Sequence, residues 1–132
     1  MRNKVMTLCG ALLLAGAMTT PAMAENAVKS DMKAMTKSYK AASKAEDAAT
    51  LKQELTKLRE YAVKAQGDIP EDFKNEPADG PNRKVYTEGM TKLVKQIDDA
   101  LALLAAGKLD EAKAATAALK ETRKEYHTKL KV

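Results

Sequence analysis

Apolar side chains return every three or four positions from about residue 26 to residue 130, the spacing that keeps one face of an α-helix dry. From about Asn26 to Lys44 they are Val28, Met32, Met35, Tyr39 and Ala42, in 4-3-4-3 steps. A second run starts at Asp47, whose side-chain oxygen suits the cap of a helix start, and carries Leu51, Leu55, Leu58, Ala62 and Ala65. Gly67 and Pro70 stop it. A third begins near Asn82 and buries Tyr86, Met90, Leu93, Ile97, Leu101 and Leu104 before Gly107 ends it. The fourth runs from about Lys108 to Leu130, with Leu109, Ala112, Thr116, Leu119 and Arg123 inward. Thr116, the polar residue in the middle of that stripe, can bond back to the Ala112 carbonyl one turn earlier. Nothing alternates in the manner of a strand.

Two of the three connections are short, so neighbouring helices run antiparallel and the pattern predicts an all-α, up-down-up-down four-helix bundle. The remaining connection, Gly67 to Pro81, is a polar loop with three prolines and two glycines. Its length marks a crossing connection or a functional loop.

The first 24 residues follow a different logic. Arg2 and Lys4 precede an uncharged, mostly apolar run, and Pro21-Ala22-Met23-Ala24 forms a small-x-small site before Glu25. This predicts a secretory signal peptide over residues 1–24, cleaved after Ala24, too short and wrongly flanked to serve as a membrane anchor. Residues 25–132 form one small helical domain. Cys9 leaves with the signal, so the exported chain is free of cysteine and draws its stability from packing or from a bound ligand. Losing Arg2 and Lys4 takes the basic residues from 23 to 21 against 18 acidic ones, a net charge of +3. Lysines and acids interleave along the helices, and four tyrosines and one phenylalanine offer few rings for base stacking, which argues against a nucleic-acid partner.

His127 is the only histidine. It shares a helical face with Thr116, Leu119, Arg123 and Leu130. In an antiparallel bundle Met32 lies roughly 10 Å into the first helix, and His127 about 7 Å from the end of the fourth. A thioether and an imidazole thus share one level. At that height the second helix contributes only Ala62 and Ala65, and the third Tyr86 and Met90, while Tyr39, Leu51, Leu55, Leu101, Leu104 and Leu109 crowd the other end. Two ways of filling the space stay open: a flat apolar cofactor, or Tyr86, Met35 and the loop folded inward.

Imidazole with thioether is the axial pair of low-spin electron-transfer haems, and without a CxxCH motif such a haem is held non-covalently. Met35, one turn above Met32, would then touch the porphyrin. Arg123, Lys129 and Lys131 are the candidate partners for its propionates. Met32, Met35, Met90 and His127 also make a possible Cu(I) donor set, and a cofactor-free helical binding module is the third reading. No paired nucleophile and base suggests an enzyme.

The chain resembles the soluble periplasmic cytochrome b562 family over essentially all of residues 25–132. The likeness is closest in Leu55-Thr56-Lys57-Leu58-Arg59, in Gln96-Ile97-Asp98-Asp99-Ala100-Leu101, and from Gly107-Lys108 through Tyr126-His127. The resemblance implies a monomeric, periplasmic carrier of one electron, with one haem b per chain and a redox partner protein it does not identify. Met32 and His127 match the family's ligands, and Arg123 its arginine one turn before the histidine. Tyr86 and Met90 stand where the best-known member has two phenylalanines flanking the haem, a departure that changes the haem contacts and leaves the ligand pair intact.

Overall fold

The computed structural model describes residues 27–131, so the expected signal peptide and its cleavage site lie outside the described residues. Four helices carry the chain: α1 (Ala27–Lys44), α2 (Ala48–Gly67), α3 (Pro81–Ala105) and α4 (Leu109–Leu130). One turn of 3-10 helix, Glu71–Phe73, interrupts the connection between α2 and α3. No strand occurs among the described residues. The fold is the antiparallel four-helix bundle that the apolar spacing predicts.

Helix ends are set by chemistry local to each. Asp47 accepts hydrogen bonds from the Thr50 amide and hydroxyl, both at 2.8 Å, and so caps α2. The start of α3 has Gly80 at the cap position, which lacks a side chain, and Pro81 in the first turn. The loop supplies what is missing. Glu76 Oε1 accepts from the amides of Asn82 (2.7 Å) and Arg83 (3.2 Å), and Oε2 accepts from the Asn82 side chain at 3.1 Å. Donors that a helix start leaves unpaired thus receive a carboxylate, at the end where negative charge is favoured. At the far end of α3, Gly107 takes φ +77°, while the Lys108 amide donates to Leu103 O and the Gly107 amide to Leu104 O. These paired bonds close a helix in a left-handed turn that favours glycine.

Packing is uneven around the bundle. α1 packs along α2, α2 along α3, and α3 along α4, but α1 and α4 meet only slightly. The closed end is filled by Ala42, Leu51, Leu55, Ile97, Ala100 and Ala112, all buried. Fully buried Thr116 spends its hydroxyl on Ala112 O at 2.8 Å, the back-bond its position suggests. Leu101, Leu104 and Leu109 are only partly covered, so Ala100 rather than Leu101 holds the centre of that layer.

On α4 the buried stripe is Ala112, Thr116, Leu119, Thr122 and Tyr126, which corrects the inward placement of Arg123. Arg123 is exposed. Both registers satisfy the three-and-four spacing, and packing against α3 decides between them. The Thr122 hydroxyl donates to Gln96 Oε1 at 2.6 Å, and the Tyr126 hydroxyl donates to Glu88 Oε1 at 3.0 Å. A guanidinium at 123 would lose hydration if it turned to the core, so it takes the neighbouring face.

Candidate functional site

Where α1 and α4 part, a mostly apolar cleft of about 1010 Å³ opens at the end of the bundle holding the start of α1 and the end of α4. That is the upper end of the roughly 300–1,000 Å³ of small-molecule and cofactor sites. Val28, Met32 and Met35 line it from α1, Tyr86 and Met90 from α3, Arg123, His127 and Leu130 from α4, and Pro70 to Lys74 from the loop. Of the side chains singled out in the sequence, Met32, Met35, Tyr86, Met90, Arg123 and His127 border this one space, whereas Lys129 and Lys131 do not. The helical spacing that puts Met32 and Met35 on one side of α1 also grades their burial. Met35 is buried, and Met32, nearer the lip, is half-buried with its sulfur-bearing chain along the wall.

The two ways of filling the space both find a place here, at different points. Tyr86 lies over the small residues of α2, its hydroxyl donating to Ala65 O at 2.5 Å, and Ala62 and Ala65 have no exposure. The gap expected opposite those alanines is thus closed by a tyrosine that also satisfies a carbonyl at a helix end. Burial, then the nearby Asp68 and Asp31 carboxylates, push the Tyr86 phenol above its ordinary range, so it stays a neutral donor. The loop folds in as well, burying Phe73 in the cleft wall. The cleft remains open because its opening faces α1 and α4 rather than α2.

Phe73 escapes a reading of helical periodicity because it sits in a three-residue turn among polar neighbours. Its signal is compositional: it is the only phenylalanine in the chain, flanked by prolines that hold the loop compact. Tyr126 and Gly89 form the other contact that periodicity alone does not reveal. The ring of Tyr126 lies against the Gly89 backbone, and both border the cleft.

His127 follows Tyr126 by one residue, about 100° around α4, which turns it from the α3 contact toward the cleft. Partial burial, and secondarily the positive charge of Arg123, hold its imidazole below the ordinary value of 6.5. The neutral imidazole, with a lone pair free, is therefore the prevailing form at neutral pH. Of the other cations at this end, Lys129 is engaged, its Nζ 3.1 Å from Glu125 and 4.6 Å from the centre of the Tyr126 ring. Arg123 remains at the lip of the cleft. A soft sulfur on one wall and a neutral imidazole on the other can serve a soft or borderline metal held within an apolar ligand.

None of the described helices is long and apolar enough to cross a membrane. The profile of the family described as cytochrome b562 matches residues 27–131. A relative from Yersinia pestis, described as "probable soluble cytochrome b562 2", is 41% identical over 120 residues, covering 90% of this chain and 94% of its own length.

Proposed function

The chain belongs to the cytochrome b562 family, and from that premise we propose that it binds one non-covalent haem b between Met32 and His127 and carries single electrons in the periplasm. The observation that supports the reading best is that a thioether on α1 and a neutral imidazole on α4 border the same apolar cleft. When bound, haem supplies one iron that alternates between the ferric and ferrous states. The protein does the rest. Met32 would offer a sulfur that favours the ferrous state, and His127, exposed at the edge of the cleft, a nitrogen whose proton affinity partial desolvation and Arg123 lower. Met35, Met90, Tyr86 and Phe73 line the cleft and would exclude water from a bound ring, and Arg123, at the lip, would be placed to meet a propionate. Lys129, already held by Glu125, is the poorer choice for that task. Residues 1–24 carry the export signal, and the family's members are electron carriers rather than enzymes.

The test is an absorbance titration of the exported protein with haemin, followed by dithionite reduction. Low-spin ferric bands that sharpen into resolved α and β bands on reduction are expected, with one haem per chain. His127→Ala should abolish them. Protein that ignores haemin and instead binds Cu(I) through its methionines would overturn the proposal.

A further inference from the structure

Charge is distributed about the cleft in a way that the net balance conceals. Acids and lysines do not interleave on α1: the exposed positions Lys29, Lys33, Lys37, Lys40 and Lys44 recur at 4-4-3-4 spacing, and the one acid of the helix, Asp31, is buried. By helical geometry these lysines share the face just outside Met32, and Lys29 itself borders the cleft. α4 does interleave in sequence but segregates in space. Lys113, Lys120, Arg123 and Lys124 are exposed and fall on the cleft side, with Lys120 and Arg123 on its lip. Asp110, Glu111, Glu121 and Glu125 fall on the other sides of the helix, and Glu125 is bonded to Lys92 of α3.

The cations of α2 and α3 are in part neutralised where they stand, by Arg59–Asp98, Lys57–Glu54 and Lys95–Asp99 pairs. Among the described residues, Lys37, Lys40, Lys44, Lys113, Lys120 and Lys124 have no carboxylate within ion-pair distance. Six lysines without a carboxylate partner therefore lie along two rows beside an apolar cleft, a pattern that costs self-repulsion and contributes nothing to folding.

We propose that this face, the two rows and the cleft mouth between them, is the docking surface for an acidic protein, and that the surface carboxylates of that protein meet the rows while an electron crosses at the lip. The second half of the statement rests on the haem reading above; the first does not. Opposite charge speeds encounter and fixes orientation without tight binding, which suits a carrier that must leave again. A bilayer is a poorer fit, because the exposed large apolar side chains, Val63 and Ile69, sit on α2 and the loop rather than here. Nucleic acid fits poorly too, since Tyr126 is buried and Tyr39 partly so, which leaves little ring face to stack on bases.

The test compares two triple charge reversals: Lys37→Glu/Lys40→Glu/Lys44→Glu on the α1 row, and Lys52→Glu/Lys64→Glu/Lys84→Glu on α2 and α3. Haem-loaded, reduced protein is mixed with ferricyanide, which takes one electron and becomes ferrocyanide, or with the cationic oxidant tris(phenanthroline)cobalt(III). The ferricyanide rate should fall with ionic strength and drop on the order of tenfold in the α1 variant. It should stay close to wild type in the other variant, and the cobalt rate should move the opposite way. Equal slowing by both variants overturns the proposal, since net charge alone would then govern. A second measurement needs no haem: amide shifts of the same proteins titrated with poly-L-glutamate. Shifts confined to α1 and α4 support the surface even if haem is never bound. Shifts spread evenly, or tighter binding to phosphatidylglycerol vesicles or single-stranded DNA at the same ionic strength, overturn it.

Discussion

Tyr126 lies so close to Gly89 that a Cβ at position 89 would stand 2.7 Å from the Cγ and Cδ1 atoms of its ring. Glycine inside a helix costs about 1 kcal/mol relative to alanine, so α3 is weakened locally to admit the ring of α4. The contact seats α4 against α3, and the next residue along, His127, then faces the cleft. Gly89→Ala should lose more by overpacking, about 1–3 kcal/mol, than it gains in helix propensity. A lower melting temperature and weaker haem binding are expected, and Gly89→Ala/Tyr126→Ala should show less than the sum of the two single changes. Thermal melts of the four proteins decide it; strict additivity would mean that the two residues are not in contact.

Glu76 takes the place of a capping side chain that Gly80 cannot provide. Glu76→Ala should destabilise the protein by about 1 kcal/mol, the usual scale for a lost N-terminal cap. Glu76→Gln, which keeps an acceptor and loses the charge, should fall between. Urea denaturation at neutral pH measures both, and an unchanged midpoint for Glu76→Ala would show that α3 starts without this contact.

Met32 and Met35 separate by position. They stand about 4.5 Å apart in height and roughly 60° in direction, too far for both to reach one iron. Met32→Ala should give a high-spin ferric spectrum and a lower reduction potential, because the sulfur that favours the ferrous state is gone. Met35→Leu keeps the bulk and should alter little beyond affinity. The reverse result would place the ligand one turn deeper in α1.

Acid should release haem through His127. Its imidazole is depressed below 6.5 in the folded chain, so the unfolded chain binds the proton more readily. The stabilised, neutral form is therefore fully present above about pH 6.5 and is lost as pH falls through the depressed value. Iron competes for the same nitrogen and moves the loss to still lower pH. Arg123→Gln removes one of the two causes of the depression. Its haem release should begin at higher pH, and the apo-protein imidazole, followed by NMR, should titrate closer to 6.5. A titration unmoved by that substitution would leave burial as the sole cause.

Most of the bundle is legible along the chain, because each helix has a continuous apolar stripe and chemically marked ends: Asp47, Gly67, Pro81, Gly107. The donor candidates are legible too, since the single histidine and the methionines of the inner stripe leave little choice, and six named residues border one cleft. What escapes the sequence is decided by volume. Thr122 and Arg123 satisfy the same spacing, and the packing of α4 on α3, with the Thr122–Gln96 bond and Tyr126 seated on Gly89, selects the first. Ala62 and Ala65 suggest a void because periodicity records which residues face inward and not how far a tyrosine on the next helix reaches. Phe73 has no period to belong to. The basic row of α4 is hidden for a similar reason: acids and lysines mixed along it part company once the helix is wound.

The cleft lies between the first helix of the bundle and the last. One wall is therefore made by the first described helix and the other by the last, and closing that distance carries a large loop-closure cost. A chain still emerging during synthesis, or clipped before α4, owns half a cleft and can grip nothing in it. The seam that is packed least closely thus makes possession of a ligand a certificate that the first and last described helices have both docked.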